Sequence, residues 1–507
     1  MRTRRIPVLV LVLALLLTAC GARLTDEQRE FAIGGGGDPA GTTGQQAVGS
    51  PPGGEAAEDD DGVVMPEVAD PGAGGDPADG GAGATGGADR GDDGAAGGQD
   101  PGAPGDGGDR GGQASGGSED WRGVPEGGNG GATDVGVSEE AVTVANVSDI
   151  SGAVPGIFAD AQLGAAAYAA YHNASEGPIF GRRVEVLPLD SRMDSGQNRQ
   201  QYLRACDEAL GVAGSMSAFE EGAADPVQNC AVPDLRAVAT SQPMQQIPNV
   251  YSAQVQEPGV VVSAEYRFWM EEHPEAVRNA GVLFLENETT RFQTGQNVRA
   301  MEQLGYEFVY QQSVQVAETN YNGFVLDMID AGVEYLTFQG DYSQAVRLAN
   351  AMRQQNFWPE VFALQTNTYT PDLLAAGGAA MEGTQIAVGT VLLEEIDRHE
   401  ELQRYREWLQ QVDPSAEPTS LGMIGWSAMQ LFIEGLKEIG PEPTREAMLD
   451  YLDGVRDWEG GGLHPPAQIG PKELTSCVVI VEVRDGAFHR LEPADEGFRC
   501  DGTVRLQ

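Results

Sequence analysis

Side chains that could bind or react with a small molecule follow three short apolar runs of the sequence. Hydroxyl and acidic residues at such places hold polar ligands or, in an enzyme, act as nucleophile and base. The alternative is that they only cap the helices that follow, because Ser, Thr and Asp are preferred helix N-caps. The candidates are Asp149 and Ser151 after "AVTVANV", Ser215 and Ser217 in "AGSMSAFEEG", and Thr240 and Ser241 in "RAVATS".

The motifs of common hydrolases do not occur around these residues. "GSMSA" lacks the final glycine of the Gly-x-Ser-x-Gly nucleophile elbow, and the sequence contains no His-Glu-x-x-His zinc motif. The five histidines are scattered, and His399-Glu400 falls in a charged helical stretch typical of solvated surface. We therefore predict a protein that is not an enzyme and that uses no cofactor and no metal.

Strand and helix patterns alternate from residue 141 onwards. Apolar or β-branched runs predict strands over 141–147, 182–190, 211–215, 280–286, 307–314, 333–340 and 359–365. Helical patterns lie between them over 158–174, 195–210, 290–304, 320–331 and 342–355. This alternation predicts parallel sheets covered by helices on both faces. Because about 370 residues exceed one such core, we expect two lobes.

The C-terminal part has a different pattern. Amphipathic helices are predicted over 399–412, 420–440 and 444–455. The run "TSCVVIVEVRDGAFHRL" then predicts a β-hairpin that turns at Asp485-Gly486, since Asp-Gly between apolar runs is a strong hairpin signal.

The first 20 residues predict export. Three arginines precede an apolar run over 8–17, which is too short to span a bilayer comfortably. The ending Leu17-Thr18-Ala19-Cys20 resembles the lipobox of bacterial lipoproteins, which implies cleavage before Cys20 and a diacylglycerol group on its sulfur. That group would anchor the chain to the extracytoplasmic face of the cell membrane. The alternative is ordinary signal cleavage near Ala19, which leaves Cys20 as a free thiol.

Residues 34–134 form a segment of biased composition. They contain 35 of the 69 glycines, 20 acidic residues, three arginines and almost no large apolar side chains. Such a segment cannot bury enough apolar surface to offset its ordering entropy, so we predict a disordered linker. The formal net charge of the chain is −46. This acidity argues against nucleic acid as a partner.

Four cysteines remain when Cys20 is set aside. An even number in an exported chain is typical of disulfides, and four cysteines permit three connectivities. The pairing that is local in sequence joins Cys206 to Cys230 and Cys477 to Cys500. A zinc site is the alternative, but no Cys-x-x-Cys pair occurs.

The order of elements is similar to that of a known family. A strand, the loop "DISGAVPG" and a long helix are followed by "FGRRVEVLPLDSRMD", a helix and a short strand. Over about 140–500 this order resembles the leucine/isoleucine/valine-binding group of type I periplasmic binding proteins, the solute receptors of ABC importers. The cysteine pair around "GSMSAFEEG" matches a disulfide common in that group. The resemblance implies an α/β fold of two doubly wound parallel-sheet lobes joined by three crossovers, which close on a ligand.

The resemblance also implies a ligand site on the loops that follow the strands of both lobes. In the family, the Ser-rich and Thr/Ser loops hold a ligand carboxylate, and Ser217 and Ser241 fit that role best here. An aromatic residue and an acid in the second lobe contact the rest of the ligand and its ammonium group. The corresponding residues here are Phe338, Gln339, Asp341, Gln365 and Asn367, with Asn287 and Arg291 in a third loop.

The second-lobe loop "LQTN" departs from the family pattern because it carries no acid. An ammonium group buried without a carboxylate would be poorly compensated. Either Asp341 or Glu286 takes this role, or the ligand is not a standard α-amino acid.

The predicted organisation has four parts. They are a lipoprotein signal peptide over 1–19, a lipidated N-terminus over 20–33 that could form a short helix, a linker over 34–134 and a binding domain over 135–507. We assign about 140–253 and 387–455 to the first lobe, and about 254–386 and 456–507 to the second.

The predicted function is solute capture. A monomer anchored through Cys20 binds a small polar ligand, such as an amino acid, an amide or a related metabolite, and delivers it to the permease subunits of an ABC importer. The alternative is a lipoprotein that senses its ligand and signals to a membrane protein.

Overall fold

A computed structural model describes residues 121–507. The predicted signal peptide, the lipidation site Cys20 and the linker up to residue 120 lie outside the described residues. The described residues form two mainly parallel sheets with helices on both faces, which confirms the predicted α/β fold of two lobes. No helix in this part of the chain has the length and apolar character that a bilayer span requires.

The first lobe begins with alternating strands and helices. Its strands are β1 Ala141–Ser148, β2 Arg183–Asp190, β3 Gly211–Ala213, β4 Asp234–Arg236 and β5 Val250–Ser252, and its helices are α1 Ala159–Tyr171, α2 Ser195–Glu208, α3 Ala224–Cys230 and α4 Gln242–Gln245. The strands form a parallel sheet of order β2-β1-β3-β4-β5. Side chains of β1 alternate between two apolar cores, Val144 facing one and Ala145 the other, because successive strand residues point to opposite faces.

The second lobe repeats this arrangement. Its elements are β6 Val260–Val262, α5 Ala264–Glu272, β7 Ala280–Leu285, α6 Glu288–Leu304, β8 Phe308–Val314, α7 Asn322–Ala331, β9 Tyr335–Gln339, α8 Tyr342–Gln354, β10 Val361–Leu364, α9 Pro371–Gly377 and β11 Thr384–Val388. Polar side chains cap α6 and α8, since Asn287 accepts from the Thr290 N–H and Asp341 from the Ser343 N–H.

The chain then returns to the first lobe and crosses back again. Helices α10 Glu400–Val412, α11 Ser420–Ile439 and α12 Arg445–Gly454 pack into the first-lobe core, before β12 Val479–Arg484, β13 Ala487–Glu492 and β14 Thr503–Arg505. The second sheet has the order β13-β12-β11-β10-β9-β7-β8, and β14 pairs with β6. The chain therefore passes between lobes three times, and the predicted hairpin at Asp485-Gly486 is confirmed.

Two predicted boundaries differ from the structure. The end of the predicted linker, 121–134, packs on the first lobe: the buried Arg182 donates to the carbonyl oxygens of Asn129 and Gly131. The stretch 456–470, which the sequence assigned to the second lobe, places Leu463 and Ile469 in the first-lobe core. Composition hid the first contact, because apart from Trp121 it depends on backbone carbonyls rather than on apolar side chains.

The disulfides have the pairing that is local in sequence. Cys206 bonds to Cys230, which ties α2 to the end of α3, and Cys477 bonds to Cys500, which ties the start of β12 to the C-terminal segment. Each bridge stays within one lobe, so neither restricts a movement of one lobe against the other.

Helices α1 and α11 approach so closely that glycines are required between them. A Cβ atom on Gly425 would collide with the backbone carbonyl of Ala161.

We expect Gly425→Ala to lower the free energy of unfolding by more than about 2 kcal/mol, since a backbone group cannot rotate away. Gly323→Ala is the control, because Gly323 lies in α7 with open space around it. Gly323→Ala should instead raise the free energy of unfolding by up to about 1 kcal/mol. Urea unfolding of both variants measures this difference; equal effects would contradict the close approach.

Candidate ligand-binding site

A cavity of about 240 Å³ lies between the lobes, at the carboxyl ends of the parallel strands. Loops after β3, β4, β7, β9 and β10 line it, as expected for ligand sites of open α/β sheets. We call it the cleft cavity. Its lining residues are Ile157, Phe158, Met216, Ser217, Ala218, Val238, Thr240, Gln254, Gln256, Leu285, Thr289, Thr290, Gln293, Asn297, Gln339, Gly340, Gln365, Thr366, Asn367 and Leu421.

The structure brings together the predicted site residues Ser217, Thr240, Gln339, Gln365 and Asn367. The first two belong to the first lobe and the other three to the second. Asn367 is fixed by a 2.8 Å hydrogen bond from its Nδ2 to the Gly340 carbonyl oxygen, which joins the loops after β9 and β10. These residues contact one space although they are distant in sequence.

Asp149 supports the first-lobe wall of the cleft cavity but does not line the cavity itself. Its carboxylate is fully buried and accepts hydrogen bonds from the Ser191 and Ser217 hydroxyls and from the backbone N–H groups of Met193 and Ala218. Burial raises the pKa of Asp149, and these hydrogen bonds oppose the shift. The carboxylate therefore holds the loop after β3 in place.

Ser215 and Ser151 also lie away from the cleft cavity. The Ser215 hydroxyl is buried and accepts from the Val147 N–H. Ser151 is exposed, and its hydroxyl donates to Asp190 at 2.5 Å. Their predicted contact with a ligand finds no support, since both hydroxyls are engaged in joining neighbouring strand ends.

A buried ion network, absent from the sequence prediction, holds the Thr240–Ser241 loop. The Glu220 carboxylate accepts from the backbone N–H groups of Thr240 at 2.7 Å and Ser241 at 2.5 Å, and it pairs with Arg236. Burial lowers the pKa of Arg236, but the carboxylates of Asp234 and Glu220 more than offset this, so the net shift is upward. Arg236 thus remains charged and keeps Glu220 in position.

Three second-lobe predictions are corrected by the structure. Phe338 is 1 % exposed and packs against Tyr321 in the apolar core, because it points to the face of β9 that the helices cover. Arg291 pairs with Glu286 and remains 61 % exposed at the start of α6. Asn287 is used as the cap of α6. None of the three lines the cleft cavity.

The sequence prediction missed several lining residues. Gln254 and Gln256 come from the first passage between the lobes, which has no strand or helix period. Gln293 and Asn297 are four residues apart on α6 and share one helix face, where the Gln293 Nε2 donates to the Asn297 Oδ1 at 3.3 Å. That spacing is the one signal in the sequence that could have identified them.

A model of the periplasmic binding protein family matches residues 141–487. The chain belongs to the periplasmic binding protein family. The match covers β1 to the start of β13 and therefore both walls of the cleft cavity. A comparison with curated protein sequences finds no match.

Solved structures have the same fold as this periplasmic binding protein. A leucine-binding protein from Thermotoga maritima is 16 % identical with a TM-score of 0.60, covering 71 % of this chain and 99 % of its own. A fatty acid ABC transporter substrate-binding protein from Thermomonospora curvata is 17 % identical with a TM-score of 0.62, covering 74 % and 96 %. A branched-chain amino acid transporter protein from Streptococcus pneumoniae, solved with isoleucine, is 13 % identical with a TM-score of 0.58, covering 70 % and 100 %.

A second chamber, which we call the acidic chamber, adjoins the cleft cavity in this periplasmic binding protein. Its volume is about 420 Å³, and its lining includes Asp160, Asp341, Asp372 and Arg347. Burial raises the pKa of Asp160 to about 6, a hydrogen bond from Thr419 opposes the shift, and the charge of Asp372 adds to it. Asp341, predicted to contact the ligand, lies here because its carboxylate caps α8.

A third space, the hinge cavity, lies behind the passages between the lobes. Its volume is about 150 Å³, and it shares Gln254, Gln293 and Gln365 with the cleft cavity. Glu265 borders it at 5 % exposure with its Oε2 atom unpartnered among the described residues. Burial raises the pKa of Glu265 to about 8. Burial also lowers the pKa of His464 on the same lining, so both groups are neutral near pH 7.

We expect the pH dependence of stability to change in Glu265→Gln. The folded chain keeps a proton on Glu265 up to pH about 8, whereas the unfolded chain loses it above about 4.5. Rising pH between these values therefore lowers the stability of the native protein, by about 1.4 kcal/mol per unit for this group. A glutamine removes that loss, so the variant should gain relative stability from pH 5 to pH 8.

Urea unfolding at pH 5, 6, 7 and 8 measures this gain. Glu272→Gln is the matched control, because Glu272 lies on the same helix α5 and is exposed. The control should track the native protein at every pH. If the free energies of unfolding of Glu265→Gln and of the native protein differ by the same amount at every pH in this range, Glu265 is ionised in the folded state.

Proposed function

We propose that this chain is an extracytoplasmic solute receptor that captures a small molecule between its lobes and delivers it to the permease subunits of an ABC importer. The cleft cavity carries the proposal, because both lobes supply its walls and the three passages between lobes form a hinge beside it. A ligand bound to both walls stabilises the closed form by its additional contacts. The cavity is large enough for a molecule of amino-acid or small-amide size.

The packing of the N-terminal segment favours a tether on one lobe only. Trp121 packs near Lys437, whose Nζ lies 4.7 Å from the ring centroid, and the Thr133 hydroxyl donates to the Pro443 carbonyl oxygen. Both partners belong to the first lobe. A linker ending here would hold that lobe and leave the second free to close, which fits an anchored monomer that docks on a permease.

Binding and closure are tested with the purified full chain and a small-molecule extract of its host cells. We expect the extract to raise the melting temperature and to lower the radius of gyration measured by X-ray scattering. Ala218→Trp fills the cleft cavity, so both effects should require an extract at least about tenfold more concentrated. Ala494→Trp, at an exposed position of the second lobe, is the control. An extract that leaves the native chain unchanged in both measurements would count against solute capture.

We propose that Cys20 carries the lipid anchor, on the sequence motif at 17–20. We expect Cys20→Ala to move most of the protein from the membrane fraction to the soluble fraction and the medium, because the anchor supplies the membrane affinity. Thr25→Ala, five residues further along, should stay with the membrane. Continued membrane association of Cys20→Ala would exclude the anchor without bearing on ligand capture.

A further inference from the structure

The lining of the cleft cavity carries no Asp, Glu, Lys, Arg or His among the residues that the structure describes. Its polar side chains are hydroxyls and amides, with Gln254, Gln256, Gln293, Asn297, Gln339, Gln365 and Asn367 as the amides. A ligand charge enclosed here would lose its hydration without gaining an opposite charge, which is costly in a closed cleft.

Three backbone donors on the loops after β3 and β4 are already used. The Ala218 N–H donates to Asp149, and the N–H groups of Thr240 and Ser241 donate to Glu220. The protein's own carboxylates thus occupy the places where an anionic ligand would bind on the first lobe. A ligand carboxylate would find neither these N–H groups nor a cationic side chain.

The acids closest to the cleft cavity also lie outside its lining. Glu286 pairs with Arg291, and Asp341 caps α8 through its Oδ1, while its Oδ2, unpartnered among the described residues, belongs to the acidic chamber. Glu221, beside the second lobe, accepts the Thr289 hydroxyl at 3.1 Å. None of these carboxylates lines the cleft cavity.

Two buried amide atoms on the lining of the cleft cavity have no partner among the described residues. They are the Nε2 donor of Gln365 and the Oε1 acceptor of Gln293, both on the lining that the cleft and hinge cavities share. Unpaired buried polar atoms are unfavourable unless a bound molecule satisfies them. Phe158, Met216 and Val238 supply apolar surface close by.

We propose that the ligand of this cleft is an uncharged molecule with an apolar body and at least one carboxamide-like group, which accepts from Gln365 and donates to Gln293. The proposal rests on the proposed function, since it names the class of solute that the receptor takes. A ligand without an ammonium group needs no acid in the second lobe, which accounts for the absence of an acid from the loop "LQTN".

The charge of the ligand is tested with fractions of the host-cell extract. Ion-exchange resins separate it into a neutral flow-through and into fractions retained as anions, cations or zwitterions. Each is added to the purified full chain while melting temperature and radius of gyration are measured. We expect the neutral fraction alone to stabilise and close the protein. Activity confined to a retained fraction would overturn the neutral ligand and leave solute capture intact, whereas inactivity of all fractions would overturn both.

The residues are tested by placing a charge in the lining. Gln365→Glu should weaken the response to the neutral fraction at least about tenfold, because the carboxylate removes the Nε2 donor and has no cation beside it. Gln312→Glu, an exposed change on β8 of the same lobe, should respond as the native chain. If Gln365→Glu does not fold, Gln365→Met replaces it, because it removes the same Nε2 donor without adding a charge. A native response from the folded variant would overturn amide recognition.

Discussion

Two buried carboxylates, Asp149 and Glu220, fix the first-lobe wall of the cleft cavity. Each binds backbone N–H groups of a loop that follows a strand, at Ala218 for Asp149 and at Thr240 for Glu220. Charge-assisted hydrogen bonds of this kind are stronger than neutral ones, and here they are shielded from water. The loops therefore keep their shape whether or not a ligand is present, so the first lobe offers a preorganised surface. Preorganisation reduces the entropy that a ligand must overcome on binding.

The same bonds change the chemistry that the wall can recognise. Backbone N–H groups at strand ends are suited to hold an anion, but these are saturated by the protein's own acids. Arg236 neutralises Glu220 from behind, so the negative charge is compensated away from the cavity. What remains facing the ligand is a set of hydroxyls, amides and apolar side chains.

The sequence predicted the sheet-and-helix order because long strands carry a clear apolar pattern, as β1 and β7 do. It missed β4, β5, β6 and β14, which have only three residues each and so show no period, and it also missed β11, which has five. The rule that ligands bind after strands found the loops of the site, but it could not decide which side chains of each loop face the cavity. Ser215 and Ser217 lie two residues apart in one loop, yet the Ser215 hydroxyl accepts a hydrogen bond from Val147 of β1 whereas Ser217 lines the cavity.

Phe338 shows why the side of a strand matters more than its end. Phe338 and Gln339 are consecutive, so one must enter the core that faces the helices while the other can reach the cleft. Family resemblance pointed to the aromatic residue, whereas the alternation of β9 presents the amide. Gln254 and Gln256 were beyond reach for a different reason, because a passage between lobes has no period from which orientation could be inferred.

The distribution of charge gives these separate features a common consequence. The chain carries a formal net charge of −46, yet the described lining of the cleft cavity carries none. A strongly negative surface repels anions before they reach the cleft, and it attracts cations without offering them a counter-charge on the lining of the cleft cavity. Neither effect acts on an uncharged molecule. The acidic surface and the neutral cavity therefore both favour an uncharged ligand. The surface acts when the ligand approaches the protein, and the cavity acts when the lobes close around it.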